Sequence, residues 1–194
     1  SMFENASSFN KNIGNWNVAN VVSMESMFAG ATLFNQDIGN WNVAKVTLFD
    51  SMFKDATLFN QDIGNWDMSS ALNLESMFYN SSAFNQDIGD WNVALVQDMS
   101  NMFTGITLST TNYDALLVGW DALTLQSNVT FNVGNSKYNS QAAADARANM
   151  IASDNWSITD GGRLTEITWT GNTDTDWNTV SNWSPAVLPI SHNN

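Results

Sequence analysis

FNQDIGNWNVAKVTLFDSMFKDATLFNQDIGNWDM, Phe34 to Met68, states one pattern twice at a fixed distance. Phe34 returns as Phe59, Ile38 as Ile63, Gly39 as Gly64 and Trp41 as Trp66, each 25 positions on. Outward from this stretch, Phe3, Phe28, Phe53, Phe78 and Phe103 share one register, and Trp16, Trp41, Trp66 and Trp91 share another. A unit this short cannot enclose a core of its own, so it must bury its apolar residues against the next unit along an axis. The expected fold class is an α/β solenoid.

Written from its first Phe, the unit reads F-x-x-A-x-x-F-N-x-D-I-G-N-W-N-V-x-x-V-x-x-M-x-x-M, with starts at Phe3, Phe28, Phe53 and Phe78. A further unit opens at Phe103 and fails where the second Phe should stand, because that position is Ser109. Within Ile38 to Val43 the alternation of Asn40, Trp41, Asn42 and Val43 has the period of a strand with one buried face. Trp and Val should point inward and the two Asn outward. Val21, Met24, Met27 and Phe28 are spaced by three and four, which predicts a short helix or 3₁₀ turn. In a parallel sheet, identical residues would repeat about every 4.7 to 4.9 Å and form ladders of Phe, Trp and Met.

These residues resemble the BspA-like leucine-rich-repeat surface proteins of bacteria, whose units carry FNQDIGNWNVxxVxxMxxMF almost as it stands here. The likeness covers about residues 2 to 108, and the tail from Tyr113 to Gly162 is similar to the segment that closes such arrays. The resemblance implies a right-handed leucine-rich-repeat-like coil of about four to five 25-residue repeats with a C-terminal α/β cap, in an extracellular or cell-surface adhesion protein. Phe49, Leu74 and Met68 depart from the consensus Met, Met and Val, apolar for apolar. The expected domains are 2–108 for the repeats, 109–162 for the capping segment and 163–194 for the start of a following β-rich module.

Beyond the repeats, Thr111 with Asp114 offers a capping box. Tyr113, Leu116, Leu117 and Trp120 then predict a short amphipathic helix. Val129, Phe131 and Val133 alternate as a strand, Gly134 to Ser136 turns, and Gln141 to Ser153 reads as an Ala-rich helix started by Ser140. Trp156 and Ile158 supply another strand, so this series can extend a parallel sheet and seal the end of the array. Gly161-Gly162 marks a boundary.

The formal charge of -13, with six Lys and Arg, opposes a nucleic-acid or anionic-membrane partner. The chain holds no cysteine and hence neither disulfide nor thiolate metal site. No apolar run approaches the roughly 20 residues of a membrane span, so no membrane insertion is expected. Ser1 and Met2 open the chain in mid-pattern, which reads as a fragment of a longer array with Ser1 a cloning remnant. An open N-terminal coil exposing Phe3 and Phe9 would favour self-association.

For chemistry, the one histidine, His192, lies in the terminal tail, where a catalytic role is not expected. Asp37, Asp62 and Asp87, with Asn12 in the first unit, align like charges that cost about 0.8 kcal/mol per pair at roughly 5 Å in water. Two readings stand: hydrogen bonds to turn amides, and calcium held by these carboxylates with neighbouring Asn oxygens. Asp174 and Asp176 form a second candidate cluster for a cation. A carboxylate on every unit singles out no acid and base pair for glycoside hydrolysis, and no enzyme activity is expected. Asn10, Asn35, Asn60 and Asn85 should satisfy backbone groups at a bend, Gly14, Gly39, Gly64 and Gly89 should shape the backbone, and the Trp register should be core. What remains is a polar grid: Asn15, Asn40, Asn65 and Asp90 in one row, Asn17, Asn42, Asp67 and Asn92 in the next. The leading expectation is a module that binds a host or neighbouring-cell protein or glycan through this grid, with no cofactor. A passive stalk and part of a glycan-acting enzyme are the alternatives.

Overall fold

A computed structural model describes residues 1–165, 168–170, 172–173 and 175–184. The chain divides into two compact units, Ser1–Gly162 and Arg163–Asn194. In the first lie α1 (Thr110–Asp121), β1 (Thr130–Asn132), α2 (Gln141–Ser153) and β2 (Ser157–Thr159); the second has β3 (Thr168–Trp169), a 3₁₀ turn over Val180–Asn182, and β4 (Trp183–Ser184). β1 and β2 pair in parallel with Phe131 beside Ile158, and β3 and β4 pair antiparallel.

This overturns the α/β solenoid and its leucine-rich-repeat-like coil. Residues 1–109 hold no helix and no strand, and the regular structure of the first unit amounts to two short helices and one two-stranded sheet. The strand expected over Ile38 to Val43 is a pair of turns. Asp37 Oδ1 accepts from the Gly39 amide at 3.0 Å, the Trp41 amide donates to the Ile38 carbonyl at 3.0 Å, and Asn42 Oδ1 accepts from the Ala44 amide at 3.2 Å. Asp and Asn side chains offer the backbone a local partner, and here they displace the ladder of a sheet. The short helix or 3₁₀ turn expected over Val21 to Phe28 fails for another reason. Ser26 and Gly30 have φ of 52° and 71°, and Ser51, Asp55, Ser76, Asn80, Asn101 and Gly105 repeat this left-handed pair in later units. A right-handed helix cannot run through such residues.

Residues one period apart nevertheless meet. Single parallel bridges join Ser23 to Leu48, Leu48 to Asn73 and Asn73 to Asp98, and Met99 to Phe131 of β1. The Met24, Ser26 and Phe28 amides donate to the carbonyls of Leu48, Asp50 and Met52 at 2.9, 3.0 and 2.9 Å. Phe28, Phe53 and Phe78 stack with centroids 5.7 and 5.6 Å apart, and Phe34, Phe59 and Phe84 at 5.9 and 6.2 Å. These steps exceed the strand spacing that a parallel sheet would impose. Phe28 also stacks on Phe34 at 3.9 Å, so two columns of rings interlock. Phe49, Met68 and Leu74 are buried among them.

The glycines act through close approach. A Cβ on Gly39 would stand 2.5 Å from the Asp62 carbonyl oxygen, and Gly39 is not among the residues with positive φ.

At Ser109 the repeat gives way to α1. Ser109 is the N-cap, its side chain accepting from the Asn112 amide at 3.3 Å. The Thr111 and Asp114 capping box is therefore corrected: Asp114 instead receives the Asn139 and Ser140 amides at 2.9 and 2.8 Å, ahead of α2. Tyr113, Leu116, Leu117 and Trp120 are the buried stripe of α1. Ser140 caps α2, accepting from the Ala143 amide at 3.1 Å, and the helix buries Ala143, Ala146 and Met150.

Candidate functional site

Both rows of the polar grid are exposed. They differ in what their side chains do. In the second row, Asn17, Asn42, Asp67 and Asn92 each accept the backbone amide two residues on, at 3.2, 3.2, 3.1 and 3.1 Å. The Ser69 hydroxyl and then the Ser69 amide hold the Asp67 carboxyl below its ordinary value. Asn15, Asn40, Asn65 and Asp90 stand between Ile-Gly and Trp, outside these turn bonds. The structure therefore separates a row committed to backbone geometry from a row whose polar groups face water.

The column of Asp37, Asp62 and Asp87 is also exposed. Each Oδ1 accepts a glycine amide, from Gly39, Gly64 and Gly89, at 3.0, 2.9 and 2.9 Å, and Asn12 does the same for Gly14 at 3.0 Å. Among the described residues no three His, Cys, Asp or Glu side chains come together as a metal site. Asp174 and His192 lie outside the described residues, and Asp176 Oδ1 receives the Asn178 amide at 2.9 Å. Because Asn12 makes the same bond without charge, Asp62→Asn should leave stability within about 0.5 kcal/mol, whereas Asp62→Ala should cost about 1 kcal/mol. Melts in calcium and in chelator at matched ionic strength should share one midpoint. A calcium-dependent rise that Asp62→Asn reduces would assign the column to a cation instead.

Asn10, Asn35 and Asn60 form a second column. Their Oδ1 atoms receive the amides of Asn35, Asn60 and Asn85 at 3.0, 3.0 and 2.9 Å, and Asn85 receives Ser109 at 2.8 Å. Gln36, Gln61 and Gln86 donate to the same oxygens at 2.8, 2.8 and 2.7 Å. These amides join one unit to the next and are structural.

Trp41, Trp66 and Trp91 are buried, and their indole N–H groups donate to the carbonyls of Ile13, Ile38 and Ile63 at 3.1, 3.2 and 3.0 Å. Trp120 of α1 continues the pattern to Ile88 at 3.2 Å. Trp16 departs from it, at 42% exposed. It lines a groove of about 320 Å³ with Met2, Val18, Val21, Met24 and Met27. Phe3 and Phe9, expected to be exposed, are instead half-buried against the core and stack on each other at 3.9 Å.

Another register carries Glu25, Asp50 and Glu75. Burial, and then the neighbouring Glu25 charge, push the Asp50 carboxyl above its ordinary value.

One cluster escaped the sequence reading. Asp160, whose side chain is 3% exposed, takes a 2.6 Å bond from the Tyr113 hydroxyl and a 2.7 Å ion pair from Arg147 Nε. Arg147 also lies over the Tyr138 ring, 5.7 Å from its centroid. The three partners are scattered over 47 positions with no shared motif, so only folding brings them together.

No described helix is long and apolar enough to cross a membrane. The model of a family described as "Mycoplasma protein of unknown function, DUF285" matches residues 1–116 and, in a second match, 73–157. No curated protein and no solved structure matches the chain.

Proposed function

The chain belongs to the DUF285 family, and from that premise we propose that it is an extracellular or cell-surface interaction module, non-catalytic, that binds a protein or glycan through the row Asn15, Asn40, Asn65 and Asp90. The likeness of its units to BspA-like surface proteins supports the location. The observation that carries the reading is the division of labour between the two rows. Asn17, Asn42, Asp67 and Asn92 are engaged by turn amides, while the first row repeats outward-facing amides and a carboxylate on a backbone held by stacked Phe rings. A backbone held by stacked rings presents these side chains at regular intervals before binding, so only their own rotamers have to be ordered, and that favours recognition of a repetitive partner. The acidic surface directs the choice away from polyanions.

The test is a screen of glycans and surface proteins with the intact chain and with an Asn40→Ala/Asn65→Ala variant. The expected result is a ligand whose affinity falls at least tenfold in the variant while the melting temperature holds. Equal binding by both proteins would take the row out of recognition and place the contact elsewhere on the chain, and no ligand in either class would favour the passive spacer, for which the engagement of the second row in turns also speaks.

Self-association belongs to the same proposal. Met2 and Trp16 expose apolar surface around the N-terminal groove, and surface of this kind is removed from water when two copies meet. Sedimentation should show the average mass rising with concentration, and Trp16→Ser should weaken the rise. A constant monomer mass at high concentration would remove this partner.

A further inference from the structure

The second unit displays an aromatic pair on a tied turn. The side chain of Asn182 is fully buried; its Oδ1 receives the Thr173 amide at 2.8 Å and its Nδ2 donates to the Asp176 carbonyl at 3.0 Å. The Thr170 amide donates to the Asn182 carbonyl at 2.7 Å. Asp176 then closes the turn, Oδ1 accepting from Asn178 at 2.9 Å and the carbonyl from the Thr179 amide at 3.1 Å. Trp177 sits within that turn. Its ring stacks on Trp169 with centroids 5.0 Å apart and 14° between planes, yet it remains 64% exposed.

A buried amide that organises a turn while the largest apolar side chain on it stays in water is an arrangement for contact. The stack fixes the ring plane, so a ligand need not order it. The size of the platform limits the ligand. One indole is far smaller than the roughly 800 Å² per partner of a stable protein interface, and it matches a single sugar ring. The exposed rim of Thr175 and Asn178 carries hydrogen-bonding groups suited to hydroxyls. The net charge of -13 disfavours an acidic sugar.

We propose that Trp177 is the stacking platform of a carbohydrate site for neutral pyranose polysaccharides whose equatorial hydroxyls leave a flat face of C–H groups to lie on the indole, as those of β-1,4-glucans do. This site is independent of the Asn15, Asn40, Asn65 and Asp90 row. The test is native electrophoresis of the full 194-residue chain in gels with and without hydroxyethylcellulose. The polysaccharide should retard the chain, Trp177→Ala should abolish the retardation, and Trp177→Tyr, which keeps a ring, should retain part of it. Asn40→Ala/Asn65→Ala should be retarded like the parent, which separates this site from the grid. An unretarded parent chain, or a Trp177→Ala variant retarded as strongly as the parent, would overturn the proposal.

Discussion

Trp66→Ala should destabilise the first unit by about 3 to 5 kcal/mol, the range for truncating a large buried aromatic. Three losses combine. The side chain is 3% exposed and stacks on Trp91 at 6.4 Å, so a cavity opens between successive units. Its indole N–H also donates to the Ile38 carbonyl at 3.2 Å, which would keep only the Trp41 amide at 3.0 Å. Phe53 and Phe49 lose a neighbour at 6.3 and 6.0 Å. Trp66→Phe keeps a ring and loses the donor, and should cost about 1 to 3 kcal/mol. Asn65→Ala, one position away and exposed, should stay within about 0.5 kcal/mol. Denaturant melts of the three variants provide the comparison, and equal midpoints for Trp66→Ala and Asn65→Ala would refute the structural role of the tryptophan column.

Arg147→Met should cost about 3 kcal/mol, because it keeps the stem and leaves the Asp160 carboxylate buried without its cation. That figure lies at the low end for breaking a buried pair, since Arg147 is 22% exposed and water reaches its side. Adding Asp160→Asn should recover part of the loss: the amide oxygen still accepts from Tyr113, and no uncompensated charge remains. The same cluster predicts an alkaline limit. Burial first, then bonding to Asp160, raise the Tyr113 hydroxyl above its ordinary value of 10.0. Above about pH 10 the unfolded chain releases this proton while the folded chain retains it, so the contribution to stability is complete below pH 10 and declines as pH rises beyond it. Tyr113→Phe should flatten that decline in melts between pH 9 and 11. A decline of the same slope in the variant would assign the alkaline sensitivity to other groups.

Much of the local organisation can be read from the linear chain. The period placed Trp41, Trp66, Val43 and Phe53 inside and Asn40 and Asn65 outside, because apolar side chains recurring in one register must share one buried column. The Asn10 register was readable as a join between units, since a side-chain amide both donates and accepts. Ser140 as a helix start, and the pairing of the strands around Phe131 and Ile158, followed from capping and alternation. What the alternation did not reveal is which backbone carries it. A residue-by-residue switch between inside and outside suits a strand, and it equally suits consecutive turns in which Asp37 and Asn42 take the amides two residues on. The left-handed Ser26, Ser51 and Ser76 likewise decide against a helix through φ, which the identity of a serine does not announce. The Asp160, Arg147 and Tyr113 cluster, and the tie from Asn182 to the Trp177 turn, depend on contacts between segments separated along the chain. Composition and period determined the columns. Only the tertiary structure decided their turn-built backbone, their ring spacing and the separation of engaged from outward-facing polar rows, because each of those is a property of how one segment lies against another.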